Sequence, residues 1–494
     1  MNRIFSNCIL LLSLLPLQTL AQKEHLTDGL KIGFEAQASV SDGKTPLWLN
    51  ANKYGLSSLD KTNGHVRLSA LRPAEADSAR RWKWGYGIDV TVAANHTSTF
   101  VVQQAYGEVV WKKLRMTLGA KQQPSVMKEM ELSSGALTIG WNARPIPQAR
   151  FDVDWFGIPY TDNWWQWQFY GSYGMTTDGG WQKSVVPSGE HYTGNVLYHE
   201  KALYWKFGKA VHPRVPLTFE IGIQFATQFG GTTYNYTGRG VSESTVLKHS
   251  HNLHAFIDAL TFGGSDESDG SSKNTAGNHI GSYNMRLTWH GKTWKASARF
   301  ERMFEDQSML TVQYGIYDHL LGADIQLPDN RWLSKITIEH LSTRDQSGAI
   351  LHDQSVNIPD KMNGRDNYYN HNLYSGYQHW GQTLGNPLLT SPLYNASGSL
   401  VFSNNRVKAW HAGLSGDPTP WLHWRALASF TRNWGTYDHP FDDPMNQSYL
   451  LLETSVSHPA LSGWNATLAA GIDHGRLTGN NAGAQITLRK AFTL

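Results

Sequence analysis

Leu217-Thr218-Phe219-Glu220-Ile221-Gly222-Ile223-Gln224-Phe225-Ala226 decides the fold. Leu217, Phe219, Ile221, Ile223 and Phe225 alternate with Thr218, Glu220, Gly222, Gln224 and Ala226. Successive strand side chains point to opposite faces, so the segment has one apolar and one mostly polar face. Trp82 to Val92 repeats the pattern, with Trp82, Trp84, Tyr86, Ile88, Val90 and Val92 against Lys83, Gly85, Gly87, Asp89 and Thr91. Lys31 to Val40 does so again, with Ile32, Phe34, Ala36, Ala38 and Val40 on the apolar side. Similar runs occur near 113–121, 148–157, 164–173, 282–303, 309–317, 320–327, 331–341, 406–414, 421–431, 449–458, 463–473 and 483–494. The total is roughly 18 to 20, many about ten residues long, the length a tilted strand needs to cross a bilayer.

Composition narrows the class. Charged residues make up 17% of the 494, against about 25% in soluble domains. Trp and Tyr are abundant, at 20 and 21. After the N-terminus no stretch approaches about 18 continuous apolar residues, so helical spans are excluded. Strands with one face to lipid and one to a polar lumen reconcile these facts. A large soluble β-protein such as a propeller is the alternative; no blade repeat of about 40 to 50 residues supports it. Trp82 and Trp84, Trp164 and Trp165, Trp289 and Trp294, and Trp421 and Trp424 mark strand ends, where amphipathic rings prefer a membrane–water interface. The expected fold is all-β: an antiparallel transmembrane barrel of about 18 strands, with short helical or loop segments in its lumen. The net charge of +3 gives no reason to expect a nucleic-acid partner.

Residues 1–21 read as an export signal. Arg3 supplies the positive start, Ile9 to Leu20 the apolar stretch, and Thr19-Leu20-Ala21 the small residues before cleavage. Residues 22–494 are then expected to form one barrel domain in an outer membrane. Cys8, the sole cysteine, falls in the signal, so disulfides and cysteine metal sites are excluded from the remainder. Gly291-Lys292 and Asp318-His319 suggest tight turns. The stretches 177–199, 230–251, 261–279 and 342–397 read as long polar connections, expected outside the cell. The last is long enough to fold over a site.

Catalytic signatures are missing. No H-E-x-x-H, G-x-x-x-x-G-K-[ST] or G-x-S-x-G occurs. Asp266-Glu267-Ser268-Asp269-Gly270 lacks calcium-loop spacing and reads as a solvated loop. No enzyme activity, cofactor or metal is expected. A Ser–His pair distant in sequence would escape such a search, so a lipid- or glycan-modifying barrel enzyme stays as a third functional class. Asn370, His371, Tyr374, Tyr377 and His379 combine amides, imidazoles and aromatic faces, which suits sugar; the bland reading is a loop packed by its own aromatics. Lumen-facing charges of both signs, Lys31, Lys83, Arg115, Arg150, Arg286, Arg299 and Arg425 against Glu35, Asp89, Asp152, Asp154, Glu220, Glu301 and Asp324, point to a cross-linked lumen, blocked or narrow, or to one that handles neutral polar chains, rather than a charge-selective pore.

Three stretches resemble the Wzi capsule-assembly family: Pro46 to Gly55; Ser134-Gly135-Ala136-Leu137 through Gly140-Trp141-Asn142-Ala143-Arg144-Pro145-Ile146-Pro147-Gln148; and Asn370-His371-Asn372 with Leu384-Gly385-Asn386-Pro387-Leu388. The resemblance runs from about residue 30 to the C-terminus, and Asn-x-Arg-Pro-x-Pro is its most specific part. It implies an outer-membrane barrel that binds capsular or related extracellular polysaccharide without catalysis. The residues themselves say that Pro145 and Pro147 mark a bend, since neither donates to a ladder. Either the bend aims Arg144, Gln148 and Arg150 inward or it is a structural corner. The expected glycan contacts are Trp141, Asn142, Arg144, Gln148 and Arg150 with Asn370, His371, Tyr374, Tyr377 and His379. The competing function is a passive channel for oligosaccharides or small solutes.

Overall fold

The computed structural model describes residues 27–77, 80–212, 214–237, 245–263, 277–305, 317–347 and 365–494. The expected signal 1–21, the acidic run 266–270 and nearly all of the run 309–317 lie outside the described residues, as does 348–364 of the long connection.

Eighteen strands form one closed sheet. In chain order they are β1 Lys31–Asp42, β2 Thr62–Arg72, β3 Trp82–Ala94, β4 Phe100–Trp111, β5 Leu114–Ala120, β6 Gln148–Gly157, β7 Trp165–Met175, β8 Leu197–Gly208, β9 Leu217–Phe229, β10 Asn278–His290, β11 Lys295–Glu305, β12 His319–Gln326, β13 Lys335–Ser342, β14 Val407–Thr419, β15 Leu422–Gly435, β16 Pro440–Val456, β17 Trp464–Gly475 and β18 Asn481–Thr493. Each pairs antiparallel with the next, and β18 returns to β1 in the register Lys31↔Thr493 to Val40↔Ala484. Closure leaves no edge strand, which a hydrocarbon environment requires.

The alternation reads out as an inside-out protein. On β3, Ile88 and Val92 are more than half exposed, while their neighbours Asp89 and Thr91 are sealed in the lumen. The expected aromatic positions gather at one end, where Trp82 stacks on Trp111 at 5.9 Å and Trp164 meets Phe207 at 5.7 Å. Connections at that end are short, such as 112–113, 291–294 and 420–421. Those at the other end are long and include 43–61, 121–147 and 365–406. By the usual arrangement of such barrels the short turns are periplasmic and the long loops extracellular.

The lumen charges cross-link as expected. Arg299 joins Asp324 at 2.5 Å and Glu339 at 3.0 Å; Arg150 joins Asp152 at 2.8 Å and Glu200 at 3.1 Å; Lys128 reaches Glu301 at 2.7 Å. Lys31, Lys83 and Asp154 form no ion pair among the described residues.

Two sequence expectations need correction. Asp318-His319 is not a tight turn. His319 opens β12, and Asp318 is a buried acceptor for the amides of Asp345 (3.0 Å) and Gln346 (2.7 Å) and the Tyr368 hydroxyl (3.0 Å); a buried carboxylate needs such donors. The stretch 177–199 is not plain loop. It holds a helix at Gly179–Val185, a strand Tyr192–Gly194 that joins a small sheet with Thr232–Tyr236 and Thr245–Lys248, and the start of β8. A further helix, Leu253–Thr261, packs Phe256 against Tyr173 and Phe229 on the outer wall.

Candidate functional site at the extracellular mouth

The core of this molecule fills its lumen. Leu47, Trp48 and Leu49, all buried, enter from 43–61, where the amide of Leu47 donates to Asp473 of β17 at 3.1 Å. Leu132 to Gly140 enter from 121–147. Ser133 Oγ (2.6 Å), Ser134 N (2.8 Å) and Ser134 Oγ (2.6 Å) all donate to Glu339 of β13, and Leu137 N donates to Glu301 of β11 at 3.0 Å. Tyr369, Tyr377 and Leu389 complete the apolar centre from 365–406.

The stretches that carried the family resemblance meet here. Asn142 accepts from the amide of Asn52 at 2.9 Å and donates to the carbonyl of Thr383 at 3.2 Å. Asn386 reaches Ser134 Oγ at 3.3 Å. Gly55 has φ +68, and a Cβ there would stand 2.6 Å from the amide of Arg144. Close backbone approach of this kind demands glycine.

Most of the ten expected glycan contacts are spent on building the plug. Trp141 is 2% exposed, and its carbonyl accepts from Tyr54 N at 2.8 Å. Asn370 is bound to Asn367 and, in both directions, to Phe402. Tyr377 is fully buried and donates to the Thr138 carbonyl at 2.7 Å. Tyr374 is packed between His249 at 5.2 Å and His371 at 5.3 Å, with His371 half-buried. His379 Nε2 accepts from Thr177 N at 3.1 Å, which fixes Nδ1–H as donor to the Arg144 carbonyl at 2.8 Å. Burial lowers the His379 pKa and keeps the ring neutral. Arg150 lies 3.8 Å over the Tyr170 ring between its two carboxylates.

Arg144 and Gln148 keep unspent polar atoms. The bend at Pro145 and Pro147 aims Arg144, Gln148 and Arg150 at one internal cavity of about 70 Å³, also lined by Tyr54 and Gln123. That is room for about two water molecules, too little for a sugar ring. Gln148 Oε1 and Arg144 Nε are buried without partners among the described residues. Arg144 donates to Thr97 Oγ1 at 3.1 Å and lies 4.2 Å over the Trp380 ring. Burial lowers its pKa to about 10, partly opposed by Asp178.

Trp380 carries the feature the sequence reading missed. Gln378–His379 pairs with Gln382–Thr383, leaving Trp380-Gly381 as a two-residue turn. Both have positive φ, +57 and +78. Asn or Gly is favoured at the first of these positions, yet tryptophan occupies it. Its amide donates to Asp178 at 3.0 Å and its indole to Thr177 at 3.2 Å. Trp181 lies beside it at 6.0 Å, closed over Gly381, where a Cβ would come 2.6 Å from the Trp181 ring. Two half-exposed indoles, a buried cation and threonine hydroxyls thus share the extracellular mouth. The signal in sequence was Trp380-Gly381 itself, an aromatic before glycine between short polar pairs.

A wider cleft of about 560 Å³ opens at the periplasmic end, lined by Lys206, Lys209, Glu220, Arg286, His290 and Lys295. Among the described residues no group of three or more His, Cys, Asp or Glu side chains is placed to hold a metal.

No protein-family model matches the sequence, and no curated protein matches it. Solved structures do. Wzi of Escherichia coli, described as an outer membrane protein involved in group 1 capsule assembly and a carbohydrate-binding β-barrel, superposes with a TM-score of 0.55 at 13% identity, over 95% of this chain and 86% of its own. OccK5 (OpdH) of Pseudomonas aeruginosa aligns over 94% of this chain and 98% of its own, with a TM-score of 0.46 and 8% identity. This chain therefore has the fold of an outer-membrane β-barrel, shared along nearly its whole length with Wzi.

Proposed function

We propose that this protein binds capsular or other extracellular polysaccharide at its extracellular mouth and holds it to the cell, without catalysis and without conducting solute. Residues 1–21 serve as its export signal and 22–494 as one barrel domain. The observation that carries the reading is Trp380, held at positive φ beside Trp181 and over Arg144, above a lumen packed shut. Residues at costly backbone angles cluster at functional sites, and paired indoles offer the stacking faces that sugar rings need. The Arg144 guanidinium against the Trp380 ring adds a cation for hydroxyl or uronate oxygens. The shared fold with a carbohydrate-binding barrel supports the same reading. Of the ten residues expected to touch glycan, Arg144, against the Trp380 ring, and the half-buried His371 remain as candidates for direct contact.

A deletion strain tests this. It is expected to release polysaccharide that the parent keeps cell-attached, with wild-type protein restoring attachment and Trp380→Asn restoring it only in part. Equal attachment in all strains, together with steady single-channel currents from the purified protein, would favour the passive-channel function instead.

A further inference from the structure

A second feature, on the outer wall, is independent of the mouth. Lys408 of β14 and Arg432 of β15 are directly paired across the strands, and both are exposed. Two residues nearer the membrane centre their strands pair Trp410 with Phe430, 59% and 56% exposed. Lys408 and Arg432 therefore stand on the lipid-facing side, about 7 Å beyond the apolar band. Arg432 lies 5.4 Å from the Trp434 ring, and Arg344 lies 4.7 Å from the same ring. Arg406 covers Tyr437 at 3.7 Å and donates to the Arg344 carbonyl at 3.1 Å. None of these four cations forms an ion pair among the described residues. The nearby carboxylates Asp345, Asp438 and Asp442 stand outside ion-pair range of them. Near their extracellular ends, β3 and β4 present Val92, Ala94 and Phe100 outward, without charge.

Like charges directly opposite on adjacent strands repel. Two such cations, with two more above them, fit a bound anion between them. We infer that this outer wall, over β14 and β15 at the extracellular end, binds the phosphate groups of a membrane glycolipid. The occupant is a lipid because the patch faces outward and continues the apolar band directly: acyl chains lie against Trp410 and Phe430 while phosphates meet Lys408 and Arg432. Basic clusters beside a membrane-spanning surface recognise anionic headgroups in this way. The arginine fork takes phosphate oxygens in pairs, and the indole of Trp434 holds two guanidinium groups in place.

The test titrates the purified full chain in neutral detergent with lipid A carrying both phosphates, and with the same lipid dephosphorylated. The phosphorylated form is expected to bind about 25-fold more tightly, with Lys408 and Arg432 each worth roughly fivefold near the headgroup. The double variant Lys408→Gln/Arg432→Gln is expected to lose that preference, while Lys490→Gln, a cation at the periplasmic end, keeps it. Equal affinity of wild-type protein for the two lipids overturns the inference and needs no variant. So does a folded double variant that still discriminates, or a Lys490→Gln variant that loses as much. If the double variant loses an acidic oligosaccharide such as hyaluronan fragments and keeps lipid A, the patch belongs to glycan, and the lipid assignment falls.

Discussion

At the residue scale, Trp380 is held where a tryptophan is expensive. Positive φ costs a residue with a Cβ about 1–2 kcal/mol, and Asn tolerates that angle far better. Trp380→Asn therefore keeps the turn and removes the ring. It is expected to leave barrel stability unchanged or slightly higher and to weaken polysaccharide retention several-fold, on the order of 1 kcal/mol, as for the loss of one aromatic face beside a cation. Heat-modifiability on detergent gels and a cell-attachment assay read the two effects separately. Ile221, mid-strand on the lipid-facing side of β9, gives the matching check on face assignment. Ile221→Arg is expected to cost about 2–4 kcal/mol near the midplane, and Ile221→Leu almost nothing, in urea refolding. Gln224, on the same strand, is 3% exposed and bonded to Tyr204. Its face was legible from the alternation. The charges of both signs pointed to a blocked or narrow lumen; which segments fill the space around Gln224 was not legible.

At the element scale, plug segments are fastened to individual barrel strands by buried carboxylates. Glu339 of β13 receives two serine hydroxyls, an amide and Arg299. Removing its charge leaves Arg299 with one partner fewer and the Ser133–Ser134 turn loosely held. Glu339→Gln is expected to cost about 3 kcal/mol, in line with a broken buried pair, seen as a lower temperature for loss of the compact gel band. The sequence showed an alternating run near 331–341 and Ser134 in a stretch that carried the family resemblance, but Glu339 was not among the lumen-facing charges it picked out. It gave no sign that the two meet, because 205 residues separate them and only closure of the barrel brings them together. The same holds for Arg144 and His379, 235 residues apart.

For the whole molecule, a closed wall with a packed interior is expected to conduct poorly in planar bilayers. Deleting residues 376–385 is expected to raise conductance, since it removes Tyr377 and His379 from the plug. Acid is expected to act in the same direction. Burial, with His65 and Arg144 nearby, lowers the His96 pKa to about 4, and burial lowers that of His379. A histidine whose folded pKa is depressed contributes stability above its ordinary value near 6.5 and loses that contribution as pH falls through the folded value. Opening events are therefore expected to become more frequent between about pH 6.5 and 4 and to depend less on pH in His96→Gln. A flat profile in the wild-type protein would remove these two histidines from the gate.

The sequence by itself determined the wall. A period of two is a local property, readable wherever one face meets lipid and the other does not, and it marked most of the strands, their faces and the aromatic rim, though β2, β4 and β8 were not among the runs it picked out. It also determined that Pro145 and Pro147 bend the chain. The tertiary structure alone decided what the bend and the long loops do. Whether Tyr374, Tyr377 and His379 face a ligand or a core depends on which distant segments fill the space beside them. The placement of Trp181 over Gly381, and of Lys408 beside Arg432, follows from strand register and loop packing across the closed barrel, where neighbours in space are not neighbours in sequence.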